Sequence, residues 1–295
     1  MKTFSRDGRV PIEKLYRSYF GFDSSLWKNS VIYQQKIKYK HRPLSFDIMG
    51  FTTKRKGLAL WIIAGVHGEE PAGPNALSTS VHYFNNLGKK LPMVIIPLAN
   101  PSGYFRDWRY VNTRRARRNF DTHSVGDAEH IILRNGKPLR EKAVCNEADT
   151  LTRFLIKSSK THPPILILNF HEDESLRKLY LYSQGILGIK DPIANDIVHM
   201  LKRRGFIFYE KGMTRFNQPI VNGIIGNVGD GSIDEMMSSG KIFFDGNIVN
   251  KPKTKSIVVI ETSTNLPLKT RVQAHREIMK RSEIFFNTAR KILSN

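Results

Sequence analysis

His67-Gly68-Glu69-Glu70 follows directly on the apolar run 58–66, His171 follows 165–170, and Glu261 follows 256–260. Each is a metal ligand or proton carrier at the exit of a run with the length of a buried strand. His67 and Glu70 are separated by two residues. On a tight turn leading into a helix, that spacing lets an imidazole and a carboxylate face one ion. Gly68 between them removes a side chain that would crowd it. One short motif cannot wrap a tetrahedron, so a third ligand must come from a distant segment. His171, at the equivalent end of another strand, is the candidate. Two His and one Glu leave a fourth position for water, whose pKa zinc lowers to about 7. With Glu261 as a free carboxylate, these are the parts of a catalytic zinc hydrolase.

A lone His-x-x-Glu carries little weight, and a single His after a strand is more often a hydrogen-bonded core residue. The three segments together carry the reading. His41, His82, His123, His130, His162, His199 and His275 lack such a setting and read as surface or structural. Glu69, Glu172, Asp173 and Glu174 read as groups that orient the ligands or as solvated surface.

The elements that must position these residues alternate. A helix is predicted near 12–22 and a strand near 30–39. Strand 58–66 precedes a helix over 72–86. Strand 92–99 opens a loop at Asn100-Pro101-Ser102-Gly103. A helix over 147–157 precedes strand 165–170, another over 192–204 precedes 205–209, and one long helix near 270–293 follows strand 256–261. Continuous apolar runs between helices predict an α/β fold whose mixed, mainly parallel sheet is covered on both faces. Ligands in such sheets bind beyond the carboxyl ends of the strands, where all four candidates fall. The Gly- and Asn-rich stretch 212–250 has little periodicity and reads as a lid, a substrate wall or a surface excursion.

The chain has 295 residues, 40% of them hydrophobic, enough for one large core. The expected organisation is a single catalytic domain over 1–295, with 1–45 as an N-terminal extension packed on it. Cys145 has no second cysteine to pair with, so a zinc site must be built from His and carboxylate. No apolar run reaches the roughly 20 residues of a membrane span, and the N-terminus has no signal core. A cytoplasmic location without membrane contact is therefore expected. The net charge of +21 would suit nucleic acid, an anionic surface or an anionic substrate. Lys and Arg are spread along the whole chain. Arg106, Arg109, Arg114, Arg115, Arg117 and Arg118 crowd one segment, with Trp108 and Tyr110 between them. That cluster favours an anionic substrate over nucleic acid.

At these positions the chain resembles the zinc carboxypeptidase superfamily, in particular its aspartoacylase and succinylglutamate desuccinylase branch and the murein peptide amidases. The matching pieces are 65–73 (Gly-Val-His-Gly-Glu-Glu-Pro-Ala-Gly), 100–104 (Asn-Pro-Ser-Gly-Tyr), 109–112, 118–121, 169–173 (Asn-Phe-His-Glu-Asp) and 259–262 (Val-Ile-Glu-Thr). The resemblance implies that His67, Glu70 and His171 bind one zinc ion. It makes Glu261 the general base and then the acid, and Arg109 the group that polarises the scissile carbonyl. Arg118 would grip the substrate carboxylate. The family's Asn-Arg pair is Arg117-Arg118 here, so the amide donor is missing or supplied by Asn119 or Asn112. A mobile tyrosine would be Tyr180, Tyr182 or Tyr209.

The implied activity is hydrolysis of an amide or peptide bond next to a free carboxylate. The alternative is an N-acyl amino acid deacylase with the same zinc chemistry. That branch usually carries a small C-terminal β-domain, whereas a helix is predicted here after Glu261. A basic nucleic-acid-binding domain would leave Glu261 and Arg109 unexplained.

Overall fold

A computed structural model describes residues 7–114, 122–214 and 216–294. In chain order, α1 (Ile12–Tyr19) is followed by β1 (Trp27–Tyr39), β2 (Arg42–Thr53) and β3 (Ala59–Ala64). Then come α2 (Ala72–Ser78), α3 (Val81–Gly88), β4 (Met93–Ile96), α4 (Pro101–Arg106) and the two-residue strands β5 (Leu133–Arg134) and β6 (Lys137–Pro138). The middle of the chain holds α5 (Asn146–Ser159), β7 (Pro164–Asp173), β8 (Tyr180–Ser183) and α6 (Pro192–Arg203). The short elements β9 (Lys211–Met213), β10 (Pro219–Val221), β11 (Ile224–Ile225), α7 (Ile233–Ser238), β12 (Lys241–Phe244) and β13 (Asn247–Asn250) follow. The chain closes with β14 (Ser256–Ser263), α8 (Leu268–Met279) and α9 (Ser282–Ser294).

Ten strands form one sheet in the order β1-β2-β4-β3-β7-β14-β8-β11-β10-β9. The four central strands β4, β3, β7 and β14 are mutually parallel. β2 and β8 join them antiparallel, beside β4 and β14, and β1 pairs antiparallel with β2, which makes the sheet mixed. Residues within 1–45 supply α1 and the edge strand β1, so part of that segment belongs to the main sheet.

β3 reads Ala-Leu-Trp-Ile-Ile-Ala and is buried at every position, as a strand covered on both faces must be. Alternate residues feed two cores. Leu60, Ile62, Leu168, Phe170, Val258 and Ile260 face a layer built by α1, α2, α6, α8 and α9. Trp61, Ile63, Ile167 and Ile257 face α5 and α7 on the other side. Trp61 is fully buried, and its indole nitrogen donates to the His162 carbonyl at 2.9 Å.

Several elements differ from their predicted extents. The helix expected over 72–86 breaks between Ser78 and Val81. The Ser80 and Thr79 hydroxyls there both donate to the Ala76 carbonyl and compete with helical bonding. The expected loop at Asn100 is the short helix α4, capped by the Asn100 side chain, which accepts from the Gly103 amide at 3.0 Å. The single long C-terminal helix is α8 and α9, parted at Lys280–Arg281, so that both can lay apolar residues on one core. Stretch 212–250 holds hairpins and α7 rather than featureless loop. Among the described residues no helix is long and apolar enough to cross a membrane.

Candidate metal centre

β7 and β14 run side by side in parallel, and His171 and Glu261 are register partners in that ladder. Neighbouring strands lie about 4.8 Å apart, so the two side chains start as neighbours. Both strands extend past these residues, to Asp173 and Ser263. His171 and Glu261 therefore sit within the strand ends, not behind them. β3 lies on the other side of β7, and the turn that leaves it carries His67 and Glu70 into α2.

The three segments converge. His67 Nδ1 lies 2.7 Å from Glu70 Oε1, and His171 Nδ1 lies 2.9 Å from Glu70 Oε2. The two imidazole rings stand 5.0 Å apart at their centroids. Among the described residues, His67, Glu70 and His171 offer ligand atoms that all fall within 4.8 Å of one another. Two nitrogens and one carboxylate, gathered around a buried point, form a donor set that fits zinc with one position left open.

Charge is concentrated at this point. Burial opposes ionisation of Glu70, but His67 and His171 hold its carboxyl well below the usual range. Burial pushes His67 down to about 4, helped by the Arg109 charge and opposed by Glu70. His171 bonds to the same carboxylate without an arginine against it. Burial opposes its charge, yet Glu70 lifts it to about 9. Burial pushes Glu261 up to about 8, with His171 opposing and Glu70 and Asp173 adding.

Arg109 donates to Glu69 Oε1 at 2.8 Å and to Glu70 Oε1 at 2.9 Å. Burial works against its charge, but the two carboxylates keep the guanidinium protonated. Glu172, beside His171, is buried and accepts from the Ala72 amide at 2.7 Å. It also pairs with Arg271 of α8, so one carboxylate ties β7 to the starts of α2 and α8. Gly68 has a different task from the expected one. A Cβ there would lie 2.1 Å from the Gly103 carbonyl carbon and 2.3 Å from the Tyr104 nitrogen, so the turn packs directly on the α4 backbone.

The centre opens into a cleft of about 640 Å³. His67, His171, Glu261 and Arg109 line it, as do Tyr180 and Tyr182; Tyr209 does not. Asn112 is exposed outside the cleft, where its side chain accepts from the His123 amide at 3.0 Å. Arg117, Arg118 and Asn119 lie outside the described residues. Asn169, Asp230, Ser232 and Asp234 also line the cleft, and the sequence reading assigned none of them a role in the site. The last three sit in the aperiodic stretch, where no local pattern marks them. Asn169 precedes His171 by two, a spacing that places it on the same strand face.

Comparison with solved structures finds the same fold in other proteins. A candidate metallopeptidase from Shewanella amazonensis superposes with a TM-score of 0.69 at 22% identity, covering 94% of this chain and 93% of that one. A metallo-carboxypeptidase from Burkholderia cenocepacia gives 0.57 at 11% identity, over 95% of this chain and 70% of its own. Carboxypeptidase A from Helicoverpa armigera gives 0.55 at 10%, over 94% and 71%. The chain has a carboxypeptidase-like fold. No family model and no curated protein matches the sequence. At these identities the likeness is one of fold. The His67, Glu70 and His171 cluster within that carboxypeptidase-like fold fits a metal site, and the chemistry must be argued from its residues.

Proposed function

We propose that the chain is a zinc-dependent hydrolase that cleaves an amide or peptide bond next to a free carboxylate. The observation that carries this reading is the convergence of His67, Glu70 and His171 beside Glu261, the register partner of His171. A structural zinc site would be closed by four protein ligands, whereas three leave room for chemistry. When bound, the ion would act as a Lewis acid, polarising a carbonyl and lowering the pKa of water and of neighbouring carboxyl groups.

The protein's own residues divide the remaining work. The Glu261 carboxylate takes the proton of the attacking water and returns it to the leaving nitrogen. A carboxylate can shuttle that proton only if it is held close to the attacking water, as the pairing of Glu261 with His171 allows. The Arg109 guanidinium remains charged and can meet the oxyanion that develops on the carbonyl oxygen. Glu69 and Glu70 hold it in place until then. Arg118 or Arg117, with Asn119, would hold the substrate carboxylate, a task suited to a bidentate guanidinium.

The test is hydrolysis of N-acylated dipeptides by zinc-loaded protein. Turnover of dipeptides with a free C-terminal carboxylate, and its loss with their amidated forms, is the expected result. Equal turnover of both would remove the carboxylate requirement. Cleavage of simple N-acyl amino acids in preference to peptides would assign the deacylase reaction instead.

A further inference from the structure

Arg9 stands shortly before α1, in a stretch whose sequence carries no sign of a link to the candidate metal centre. In the fold its side chain is 1% exposed and lies against the turn that carries His67 and Glu70. A guanidinium has five N–H donors, and here each one meets an acceptor. Nη1 donates to the Gly68 carbonyl at 2.9 Å and to the Tyr104 carbonyl at 2.8 Å. Nη2 donates to Asp7 Oδ2 at 2.7 Å and to Asp107 Oδ1 at 2.6 Å. Nε donates to the Asp7 carboxylate at 3.1 Å. The Arg9 guanidinium carbon also lies 4.9 Å from the centroid of the Tyr104 ring.

Burial works against the Arg9 charge, and Asp7 and Asp107 keep it protonated. Its bonds to the two carbonyls are charge-assisted and so stronger than those between neutral groups. What they grip is the residue between two candidate ligands. The Gly68 carbonyl is held by Arg9, and the Gly68 amide donates to the Arg109 carbonyl at 3.4 Å. That Arg109 carbonyl also accepts from Asn100 Nδ2 at 3.3 Å. Both polar groups of Gly68 are therefore engaged from outside the turn. One partner comes from the chain before α1. The other is the backbone of the arginine whose guanidinium reaches Glu69 and Glu70. The segment bearing Arg9 is anchored in turn. The Val10 amide donates to Asn75 Oδ1 in α2 at 3.2 Å, and the Tyr104 hydroxyl in α4 donates to the Val10 carbonyl at 2.7 Å.

We propose that Arg9 is a positioning residue for the candidate metal centre: it clamps the Gly68 carbonyl to α4 and so fixes how His67 and Glu70 face one another. The inference rests on the metal site of the hydrolase reading. Glycine restrains its own backbone less than any other residue, so a turn built on Gly68 must be held from outside. Gly68 is buried, and its carbonyl without Arg9 would be a buried acceptor in need of another donor. The turn would shift to find one and carry His67 with it. Zinc tolerates little such movement, because its ligands stand at about 2.0–2.2 Å. Arg9 touches neither ligand side chain. Its loss is therefore read in the strength and geometry of metal binding, with the ligand set unchanged.

The test compares zinc affinity, and the visible spectrum of the cobalt-substituted protein, in wild type, Arg9→Met, Arg9→Lys and Leu87→Ala. In Arg9→Met the zinc Kd should rise about 10–100-fold, the usual effect of losing a group that orients metal ligands. The cobalt bands should shift as the ligand geometry changes. Arg9→Lys keeps the charge without the fork, so its Kd should rise less, by about threefold or more. Leu87 is buried in the last turn of α3, before β4 begins, whereas the metal centre lies at the other end of these strands. Leu87→Ala should lower the melting temperature and leave zinc affinity and cobalt spectrum unchanged. Equal weakening of zinc binding in Leu87→Ala would show that general loosening is enough, and would overturn the proposal. So would wild-type zinc affinity and spectrum in Arg9→Met, a result that leaves the hydrolase reading in place. If Arg9→Met does not fold, the same result in Arg9→Lys overturns the proposal. Wild-type protein that binds no zinc would overturn both. Weaker zinc binding by the Arg9 variants of a protein that hydrolyses no acylated dipeptide would support the clamp and sink the hydrolase reading.

Discussion

Glu261 and Arg109 are the residues on which the proposed chemistry turns. Glu261→Gln is nearly isosteric and leaves His67, Glu70 and His171 intact, so fold and zinc content should match wild type. Turnover should fall by roughly 10²–10⁴, the usual contribution of general acid–base catalysis. Wild-type turnover in a zinc-containing Glu261→Gln protein would show that another group moves the proton. Arg109→Ala should lower kcat by about 10²–10³, the cost of losing one oxyanion donor, because that charge meets an oxyanion present only in the transition state. A change confined to KM would place Arg109 in ground-state binding instead. At this scale the sequence showed which residues the fold brings together where they stood at the end of an apolar run, as His67, His171 and Glu261 do. It did not show Asp234, because its short helix sits among hairpins with no period to reveal which face meets the cleft.

Elements bring distant residues together here, and they do so through backbone contact. The turn carrying His67 and Glu70 packs on α4, and Gly68 is what permits that approach. Gly68→Ala would drive a Cβ into the Gly103 and Tyr104 backbone, which cannot move aside as a side chain can. It should destabilise the protein by about 1–3 kcal/mol, as overpacking does, and weaken zinc binding by shifting His67. Calorimetric melting with a zinc titration reads both; wild-type values in the variant would show that the turn is not held by α4. The apolar runs also announced β3, β7 and β14, since strands buried on both faces admit few polar residues. The breaks between α2 and α3 and between α8 and α9 were not announced. Hydroxyl bonding to Ala76 and the demands of a shared core end those helices, not Gly or Pro. Likewise Asn100 reads as the start of a loop until its side chain is seen capping α4.

For the molecule as a whole, one buried histidine outside the proposed ligand set gives a pH signature. His275 is fully buried against Phe170, and burial pushes its pKa down to about 3, with Arg271 adding to the effect. An unfolded histidine titrates near 6.5, so below that pH the unfolded chain binds the extra proton. The stability tied to neutral His275 is therefore complete above about pH 6.5 and is lost as pH falls towards 3. Between pH 6.5 and 4.5 the loss is about 2–3 kcal/mol. Melting curves at the two pH values should show a shallower decline for His275→Gln than for wild type. Parallel declines would remove His275 from the acid response. The overall charge of +21 misleads at this scale, because it says nothing of Asp230 and Asp234, two acids in the cleft wall. Net charge averages over the surface, and a cleft is lined by few residues.

The central claim is that one zinc ion, held by His67, Glu70 and His171, makes this fold a hydrolase. The most direct measurement is a zinc titration of metal-free protein, following hydrolysis of an acylated dipeptide with a free carboxylate. The account predicts no activity at the start, a linear rise to one equivalent of zinc, and a plateau thereafter, with His171→Ala staying inactive throughout. Activity that survives rigorous chelation, or that persists in His171→Ala at one equivalent of zinc, would contradict it.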